Sequence, residues 1–355
     1  MNDTELRFRS KITFTQFLLS VGVVYQHTSW NYRESAVLNA GQAFLFYLIE
    51  TCVPFFFMIS GYLFFRTYEP SKVKTKILSR GRTLLIPYLV WNAIYTVFII
   101  GFTKLRFIHN AVINQNIRGV LLQCINAEFS PLWFVKYLMT FTLIAPLSYY
   151  LLRRKILGAV AILVMLILNA VFFYSGMMQI PLNVNSNSII MLNYQYIFYA
   201  IGAYSALNWK DIVEISTYGK RNVASVILLA LVTFYFLYIM KHGNVVIGHF
   251  FRLVYIIAMW FVLDYIPIYR VYRWMGNSFF LYCSHLIALQ CIQRVCDIVI
   301  GKTDEIQSIL YVLEYLFLPI IIIVFLLFVA ESVKKRLPKI YGVLSGKRGL
   351  LLEYK

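Results

Sequence analysis

The sequence predicts an all-helical integral membrane protein, a bundle of about ten transmembrane helices with both termini on the cytoplasmic side. Three observations lead to this prediction. Hydrophobic residues make up 60% of the 355 residues and charged residues only 14%, with a mean hydropathy of +0.70, whereas soluble domains carry about 25% charged residues. Apolar stretches of about 20 residues recur along the chain, each long enough to cross a hydrocarbon core of about 30 Å. Lys and Arg fall in short clusters between these stretches.

Each apolar stretch ends at a charged break or at a break rich in Gly, Pro and Asn. In chain order the predicted spans are 12–30, 43–65, 83–102, 131–152, 156–175, 188–207, 222–240, 246–266, 278–300 and 309–330. No small-residue cleavage site follows the first span, so we expect a retained helix and no signal peptide. Because no stretch between the spans is long enough for a soluble domain, we treat residues 1–355 as a single polytopic domain.

The positions of Lys and Arg predict the orientation, because the cytoplasmic loops of membrane proteins are enriched in these residues. With the N-terminus inside, the inner segments hold 24 of the 33 Lys and Arg residues and the outer segments hold six. The net charge of +18 therefore reflects topology, and we expect no nucleic-acid partner. Four of the five cysteines fall inside predicted spans and Cys124 falls in a predicted loop, a pattern that indicates neither a disulfide framework nor a metal site.

Three basic residues lie inside the predicted spans, namely Lys136, Arg252 and Arg294. A charged side chain in the bilayer costs a few kcal/mol and faces a cavity or a partner, although one near a helix end can also extend its head group to the interface. Glu50 lies at a depth similar to that of Arg252 and is its predicted partner.

His27 stands near the end of the first apolar run, in VVYQHTSW. One interpretation is a buried imidazole that is hydrogen-bonded to a neighbouring helix. The other is a general base that takes a proton from a substrate hydroxyl, with Glu50 available to orient it. We place His27 in the outer half of the bilayer. His285 lies about 10 Å from the inner end of its span, and we interpret both it and Asp264 as packing residues.

A dense basic cluster precedes the third span, in SKVKTKILSRGRTLLIPYLVWN (71–92). Five cations within eleven residues suit a multiply phosphorylated cofactor. Binding of anionic lipid, or orientation of the chain alone, explains the cluster equally well. The sequence contains none of the motifs typical of soluble hydrolases, nucleotidases, metalloproteases or dithiol redox enzymes.

Six stretches, in this order along the chain, resemble the membrane acyltransferase-3 family, and most of all its bacterial O-acetyltransferases of surface glycans. They are VVYQHTSW (23–30), CVPFFFMISGYLFF (52–65), SRGRTLLIPYLVWN (79–92), PLWFVKYL (131–138), FYAIGAYSA (198–206) and FFLYCSHLI (279–287). The resemblance implies a ten-helix protein of the bacterial inner membrane. It also implies transfer of an acyl group, usually acetyl from cytoplasmic acetyl-CoA, to a sugar hydroxyl. From the cysteine pattern and the missing metal motifs we expect no metal.

The resemblance places the catalytic histidine at His27 and the important basic residues at Arg80 and Arg82. We add Glu50 to the catalytic set and Lys76 to the acyl-CoA-binding set. Many members carry Arg eleven positions before the histidine, where this chain has Gln16. The residues that we assign to substrate binding or charge stabilisation are Gln16, Trp133, Lys136 and Arg252.

The expected function is therefore O-acyl transfer from acetyl-CoA to a cell-surface polysaccharide, such as lipopolysaccharide or exopolysaccharide, or to a lipid-linked glycan. The sequence leaves the acceptor and the oligomeric state open. The alternative is an exporter of a glycan or lipid whose intramembrane charges line the transport pathway. A structural or assembly subunit explains neither the basic cluster nor the buried histidine.

Overall fold

A computed structural model describes residues 3–28, 49–105, 113, 116–174, 189–235, 245–266, 271–300 and 306–348. These residues form helices joined by turns, and they include no strand, as expected where lipid cannot satisfy open backbone groups. The helices are α1 (Asp3–Thr28), α2 (Cys52–Phe65), α3 (Val73–Lys104), α4 (Ile117–Ile125), α5 (Trp133–Leu152), α6 (Lys155–Tyr174), α7 (Ile189–Asn208), α8 (Lys210–Glu214), α9 (Tyr218–Phe234), α10 (Val245–Val262), α11 (Ser278–Ile300), α12 (Ile306–Arg336) and α13 (Pro338–Ser345).

Each predicted span overlaps one of these helices. Among the described residues, three helical segments are long and apolar enough to cross a membrane, namely Pro70–Lys104, Trp133–Leu152 and Leu313–Arg336. Cys52–Phe65 and Lys155–Val171 are apolar but shorter. The count of ten crossings and the cytoplasmic termini remain predictions. Parts of the predicted spans lie outside the described residues, namely 29–30, 43–48, 175, 188 and 236–240.

Two sequence predictions of local structure are wrong. The first helix begins at Asp3 and not at residue 12, since Asp3 and Glu5 in its first turn complement the positive end of the helix dipole. Cys124 lies in α4 and not in a loop. The side chain of Asn116 starts that helix by accepting a hydrogen bond from the amide of Gly119 at 2.7 Å, a capping interaction that satisfies an otherwise free N–H group.

The described helices pack into two compact units. The first unit comprises residues 1–15, 43–76 and 140–271, and the second comprises residues 16–42, 77–139 and 272–355. Because the divisions fall inside α1, α3 and α5, these three helices contribute residues to both units.

In the first unit, α2 and α7 cross with their backbones in direct contact. A Cβ atom on Gly61 would lie 2.1 Å from the carbonyl oxygen of Tyr199, and one on Gly202 would lie 1.9 Å from that of Met58. Small residues allow this close approach in membrane proteins, where van der Waals packing replaces the hydrophobic effect as the force between helices. The two glycines therefore set the distance between α2 and α7.

Arg66 and Lys11 of the first unit are each matched by carboxylates. Arg66 donates to Glu5 Oε1 at 3.1 Å and to Glu214 Oε1 at 2.6 Å, and the hydrogen bond from Arg66 lowers the pKa of Glu5 to about 2. The buried Lys11 ammonium lies 2.9 Å from Asp264 Oδ1. The interpretation of Asp264 as a structural residue agrees with this ion pair. The pairing limits the cost of removing these charges from water.

In the second unit, an apolar cluster joins α1, α11 and α12. Its buried members are Val24, Leu281, Leu289, Leu318, Ile322, Ile323 and Leu326. Asn277, directly before α11, donates to Glu331 Oε1 of α12 at 2.6 Å and accepts from the Tyr341 hydroxyl of α13 at 2.6 Å. These two hydrogen bonds hold the start of α11 against α12 and α13.

Substitution of Gly202 by Ala is expected to disrupt the first unit, because the added methyl group would overlap the carbonyl of Met58 and the two backbones would have to separate. We expect a loss of at least about 1–3 kcal/mol in stability, measured as a lower melting temperature in detergent by fluorescence-detected size-exclusion chromatography. Gly101→Ala is the matched control, since no atom lies within 4 Å of its added Cβ and Ala favours a helix. Equal melting temperatures for the two variants would contradict this account of the crossing.

Candidate functional site

Two histidines of the second unit, His27 and His285, are brought together by the parallel packing of α1 and α11. Ser20 Oγ donates to the carbonyl of Gln16 at 2.9 Å and lies 3.3 Å from that of Ser278. One heptad further along both helices, the rings of His27 and His285 lie 5.1 Å apart between centroids, with an angle of 41° between their planes. The equal spacing of seven residues is the repeat with which two parallel helices keep the same faces in contact.

Two tyrosine hydroxyls anchor the segment of α11 that carries His285. Tyr282 donates to the carbonyl of Pro131, just before α5. Tyr95 of α3 donates to the carbonyl of Cys283 at 2.9 Å. Within α11, His285 Nδ1 lies 2.6 Å from the carbonyl oxygen of Tyr282. Buried tyrosines normally use their hydroxyl in this way, and the bonds fix where the His285 ring stands.

The predicted depths of the two histidines are inconsistent with this contact. We placed His27 in the outer half of the bilayer and His285 in the inner half, but their rings are neighbours. The reason is that Ser278, the first residue of α11, lies beside Ser20, about 12 Å further along α1 than Ile12 at 1.5 Å per residue. The predicted span 278–300 therefore does not begin at the level of the span 12–30.

The two imidazoles differ in their access to other molecules. His285 is fully buried, with 0% of its surface exposed, and His27 is half-buried. Of the two histidines, His27 is thus the one that retains some exposed surface.

Gln16 lies on the same face of α1 as His27. Eleven residues at 100° each amount to three turns and about 20°, so the two side chains are about 16 Å apart along the helix. Gln16 is half-buried. The position where many family members carry Arg therefore faces the same side as the histidine, but the side chain in this protein is neutral.

Lys136 and Trp133 lie in the first turn of α5, next to the anchor at Pro131. Lys136 Nζ donates to Asn126 Oδ1 at 3.3 Å, so its ammonium is held at this end of the helix. The ring of Trp133 meets Tyr137 edge-on at 5.8 Å. The aromatic residue that contacts Tyr282 is Phe134, at 5.8 Å, and sequence analysis had not selected it.

Arg80 and Arg82 point to different sides of α3, because two residues correspond to about 200° of rotation. Arg80 is half-buried and Arg82 is exposed. Lys76 belongs to the first unit, where its ammonium donates to Thr67 Oγ1 at 2.9 Å and lies 4.9 Å from the centre of the Phe64 ring. Arg80 is thus partly enclosed by the protein, whereas Arg82 lies at the surface.

Arg348 lies in the same region of the second unit as Arg80, and sequence analysis missed it. Its guanidinium lies 4.0 Å from the centre of the Phe279 ring. Burial and the positive charge of Arg80 lower the pKa of Arg348 to about 10, so it remains cationic at neutral pH. In the described part of the chain, no carboxylate lies within 4 Å of Arg348.

A glycine turn holds Arg348 in this place. Gly346, which ends α13, has a φ of 61°, in the left-handed region that glycine adopts without strain. A Cβ on Gly346 would also lie 2.2 Å from the carbonyl oxygen of Thr83, and Trp91 Nε1 donates to the carbonyl of Leu344 at 3.0 Å. The turn at the end of α13 is therefore packed against α3 at Thr83, three residues after Arg80.

Arg252 and Glu50 form the ion pair that the sequence predicted, so this expectation is confirmed. In the first unit, a guanidinium nitrogen of Arg252 in α10 donates to Glu50 Oε2, and a second one donates to the hydroxyl of Tyr194 in α7 at 3.0 Å. The carboxylate of Glu50 is engaged in this pair. Arg252 thereby links the turn before α2 to α10 and, through Tyr194, to α7. A catalytic role for Glu50 stays a prediction.

The packed apolar helices are typical of a membrane protein, and the paired imidazoles supply a group able to exchange protons. The comparison with known families gives the class of the protein. The model of the acyltransferase-3 family, described as an acyltransferase domain, matches residues 10–330, so the match runs through both units. The chain belongs to this family and is a membrane acyltransferase, which leaves the exporter interpretation without support. Searches of curated proteins and of solved structures found no significant match.

Removal of either partner of the Arg252–Glu50 pair is expected to lower the folded yield, because the remaining charge would be partly buried without compensation. Both side chains retain some exposure, 15% and 28%, so we expect Arg252→Ala and Glu50→Ala each to cost up to about 3 kcal/mol, measured as melting temperature in detergent. The double variant Glu50→Arg, Arg252→Glu should regain part of the loss.

The exposed pair of Lys72 and Glu69 provides the control. Their side chains are 70% and 56% exposed, and such pairs contribute little to stability. Lys72→Ala should therefore melt at the wild-type temperature. Wild-type melting of both single variants of the Arg252–Glu50 pair would show that this pair does not stabilise the fold.

Proposed function

We propose that this membrane acyltransferase is an O-acetyltransferase that transfers acetyl from cytoplasmic acetyl-CoA to a hydroxyl of a surface polysaccharide or lipid-linked glycan, in the inner membrane of a bacterium. His27 acts as the general base. The observation that carries this proposal is the pair of adjacent imidazoles in the second unit, in which His285 is fully buried and His27 is half-buried. In this family, whose reaction is acyl transfer, a proton acceptor beside the acceptor hydroxyl is what the chemistry requires.

The proposed reaction is a direct attack on the thioester. The acceptor oxygen forms a bond to the acetyl carbonyl carbon as its proton passes to an unprotonated nitrogen of His27. The bond between that carbon and the sulfur of CoA then breaks, and the leaving thiolate takes the proton from the imidazolium. The products are the acetyl ester and free CoA, and His27 returns to its neutral form.

Arg80 and Arg348 are proposed to hold the phosphate groups of the donor. Two guanidinium groups that are near each other favour an anion between them, and phosphate accepts bidentate hydrogen bonds from Arg. Arg348 stacks on Phe279, six residues before His285 on α11, which is about 9 Å along the helix. The extended pantetheine arm of CoA can cover this distance and bring the thioester towards His27.

The first test of this proposal is His27→Ala. A positioned base contributes about 10²–10⁴ in rate, so we expect transfer of label from [14C]acetyl-CoA to membrane glycans to fall by at least about 100-fold, with normal yield and normal donor binding. Gln26→Ala, at the neighbouring position of α1, serves as the matched control and should retain transfer. Transfer by His27→Ala at close to the wild-type rate would exclude His27 as the base.

The second test concerns the donor. Arg80→Ala and Arg348→Ala should each weaken acetyl-CoA binding by about 10-fold, since a charge-assisted hydrogen bond contributes about 1.5–3 kcal/mol. Binding is measured by thermal shift of the purified protein against a titration of CoA. Lys339→Ala removes an exposed cation from the same C-terminal region and should leave the affinity unchanged. The same loss in all three variants would indicate a general effect of charge and no specific phosphate site.

A further inference from the structure

The hydrogen bonding of His285 fixes which of its nitrogens carries a proton. Nδ1 lies 2.6 Å from the carbonyl oxygen of Tyr282. A carbonyl can only accept a hydrogen bond, so Nδ1 is the donor and carries the hydrogen. In the neutral ring the other nitrogen, Nε2, then has a free lone pair and is an acceptor.

This acceptor is buried and has no hydrogen-bond partner among the described residues. Buried polar groups of native proteins are nearly always paired, and an unpaired one requires an explanation such as a role in catalysis. The sequence offered no reason to separate His285 from a packing residue. The unpaired Nε2 is the observation that does so.

The hydroxyl groups closest along α11 cannot supply the missing donor. Tyr282 already donates its hydrogen to the carbonyl of Pro131, and Tyr95 donates its hydrogen to the carbonyl of Cys283. The hydroxyl of Ser284 donates within the helix to the carbonyl of Phe280 at 2.8 Å. A donor group that does contact the His285 ring is the imidazole of His27.

The separation of the two rings suits a hydrogen bond between them. A nitrogen lies about 1.1 Å from the centre of its imidazole ring, and a nitrogen–nitrogen hydrogen bond is about 2.9 Å long, so two bonded imidazoles have centroids about 5 Å apart. The observed centroid distance is 5.1 Å. The centroid distance therefore fits an N–H group of a rotated His27 ring that points at His285 Nε2.

We propose that His285 is a positioning residue for the acyl-transfer reaction, with Nε2 accepting a hydrogen bond from one nitrogen of His27 so that the other nitrogen is the unprotonated base. This inference rests on the proposed role of His27. The chain of contacts runs from the acceptor hydroxyl to His27, to His285 Nε2 and, through Nδ1, to the carbonyl of Tyr282. It has the same order of base and orienting group as a catalytic triad, with a neutral imidazole in place of a carboxylate.

The arrangement also stabilises the intermediate state of the base. When His27 takes the proton of the acceptor hydroxyl, both of its nitrogens carry hydrogen, and the one facing His285 becomes a stronger donor to Nε2. His285 does not need to accept the proton. The proton stays on His27 until the CoA thiolate takes it, so the reaction balances without a further acid or base.

Two amide substitutions separate the functions of the two nitrogens. In His285→Asn the side-chain amide lies near the position of Nδ1 and can still donate to the carbonyl of Tyr282, but no acceptor replaces Nε2. In His285→Gln the amide extends to the position of Nε2, where its oxygen can accept from His27. A residue that only fills space would not distinguish between these variants in this way.

The experiment measures kcat and KM for [14C]acetyl-CoA with membrane glycans as acceptor, per amount of folded protein from fluorescence-detected size-exclusion chromatography. We expect His285→Asn to lower kcat by at least about tenfold with little change in KM, and His285→Gln to recover part of that loss. Ser284→Ala removes a buried polar group from the adjacent position of α11 and should keep the wild-type kcat.

The variants are repeated in the His27→Ala background, where His285→Asn should have no further effect because the base that it orients is absent. Wild-type kcat for His285→Asn, a kcat for His285→Gln no higher than that for His285→Asn, or a further independent loss in His27→Ala would each overturn the proposal. Failure of both amide variants to fold would do so as well, since it would show that His285 is required for packing. An active His27→Ala would instead refute the proposed base, so the two failures are distinguishable.

Discussion

The parallel contact between α1 and α11 is the interaction on which the candidate site depends. Lipid is as apolar as the helix surfaces, so close packing and polar contacts decide which helices pair and in which register. Ser20 against Ser278 sets the register, and the heptad repeat then brings His27 to His285. A shift of one residue in this register would turn the two imidazoles away from each other by about 100°, whatever else in the second unit stayed in place.

The cations that support the fold and those of the proposed donor site have different surroundings. In the first unit Lys11, Arg66 and Arg252 are each paired with a carboxylate, which suits a structural role because paired charges limit the desolvation cost. In the second unit Arg348 lies beside the cation Arg80 and on an aromatic ring. Two cations placed near each other do not stabilise a fold through their mutual interaction, and this arrangement is the basis of the proposal that the donor phosphates bind there.

The helices could be predicted from hydropathy, because a long apolar segment of a membrane protein can satisfy its backbone hydrogen bonds in lipid by forming a helix. The partner of Arg252 could also be predicted, since a buried cation needs an anion and Glu50 lay at a similar depth. The depth at which α11 starts could not be predicted. Its depth depends on which residue of α1 it meets, and no pattern in the predicted span 278–300 encodes the contact between Ser278 and Ser20. For this reason the predicted depth of His285 is wrong.

Arg348 could not be found from the sequence for another reason. In the basic C-terminal tail it is indistinguishable from residues that only orient the chain, and its position depends on the left-handed turn at Gly346 and on the contact of that turn with Thr83. Gly346 was the available signal, because glycine directly after a helix predicts a reversal of the chain. It did not indicate against which helix the chain would pack after the turn.

The crossing of α2 and α7 has a consequence for motion. Most helix pairs in proteins can slide by small amounts because side chains between them change rotamer. Gly61 and Gly202 bring peptide groups of the two helices into contact, so no side chain between them can change rotamer. Closely packed backbones therefore resist both sliding and rotation. We therefore expect α2 and α7 to move as one element, and any rearrangement within the first unit during turnover to take place at its other helix contacts.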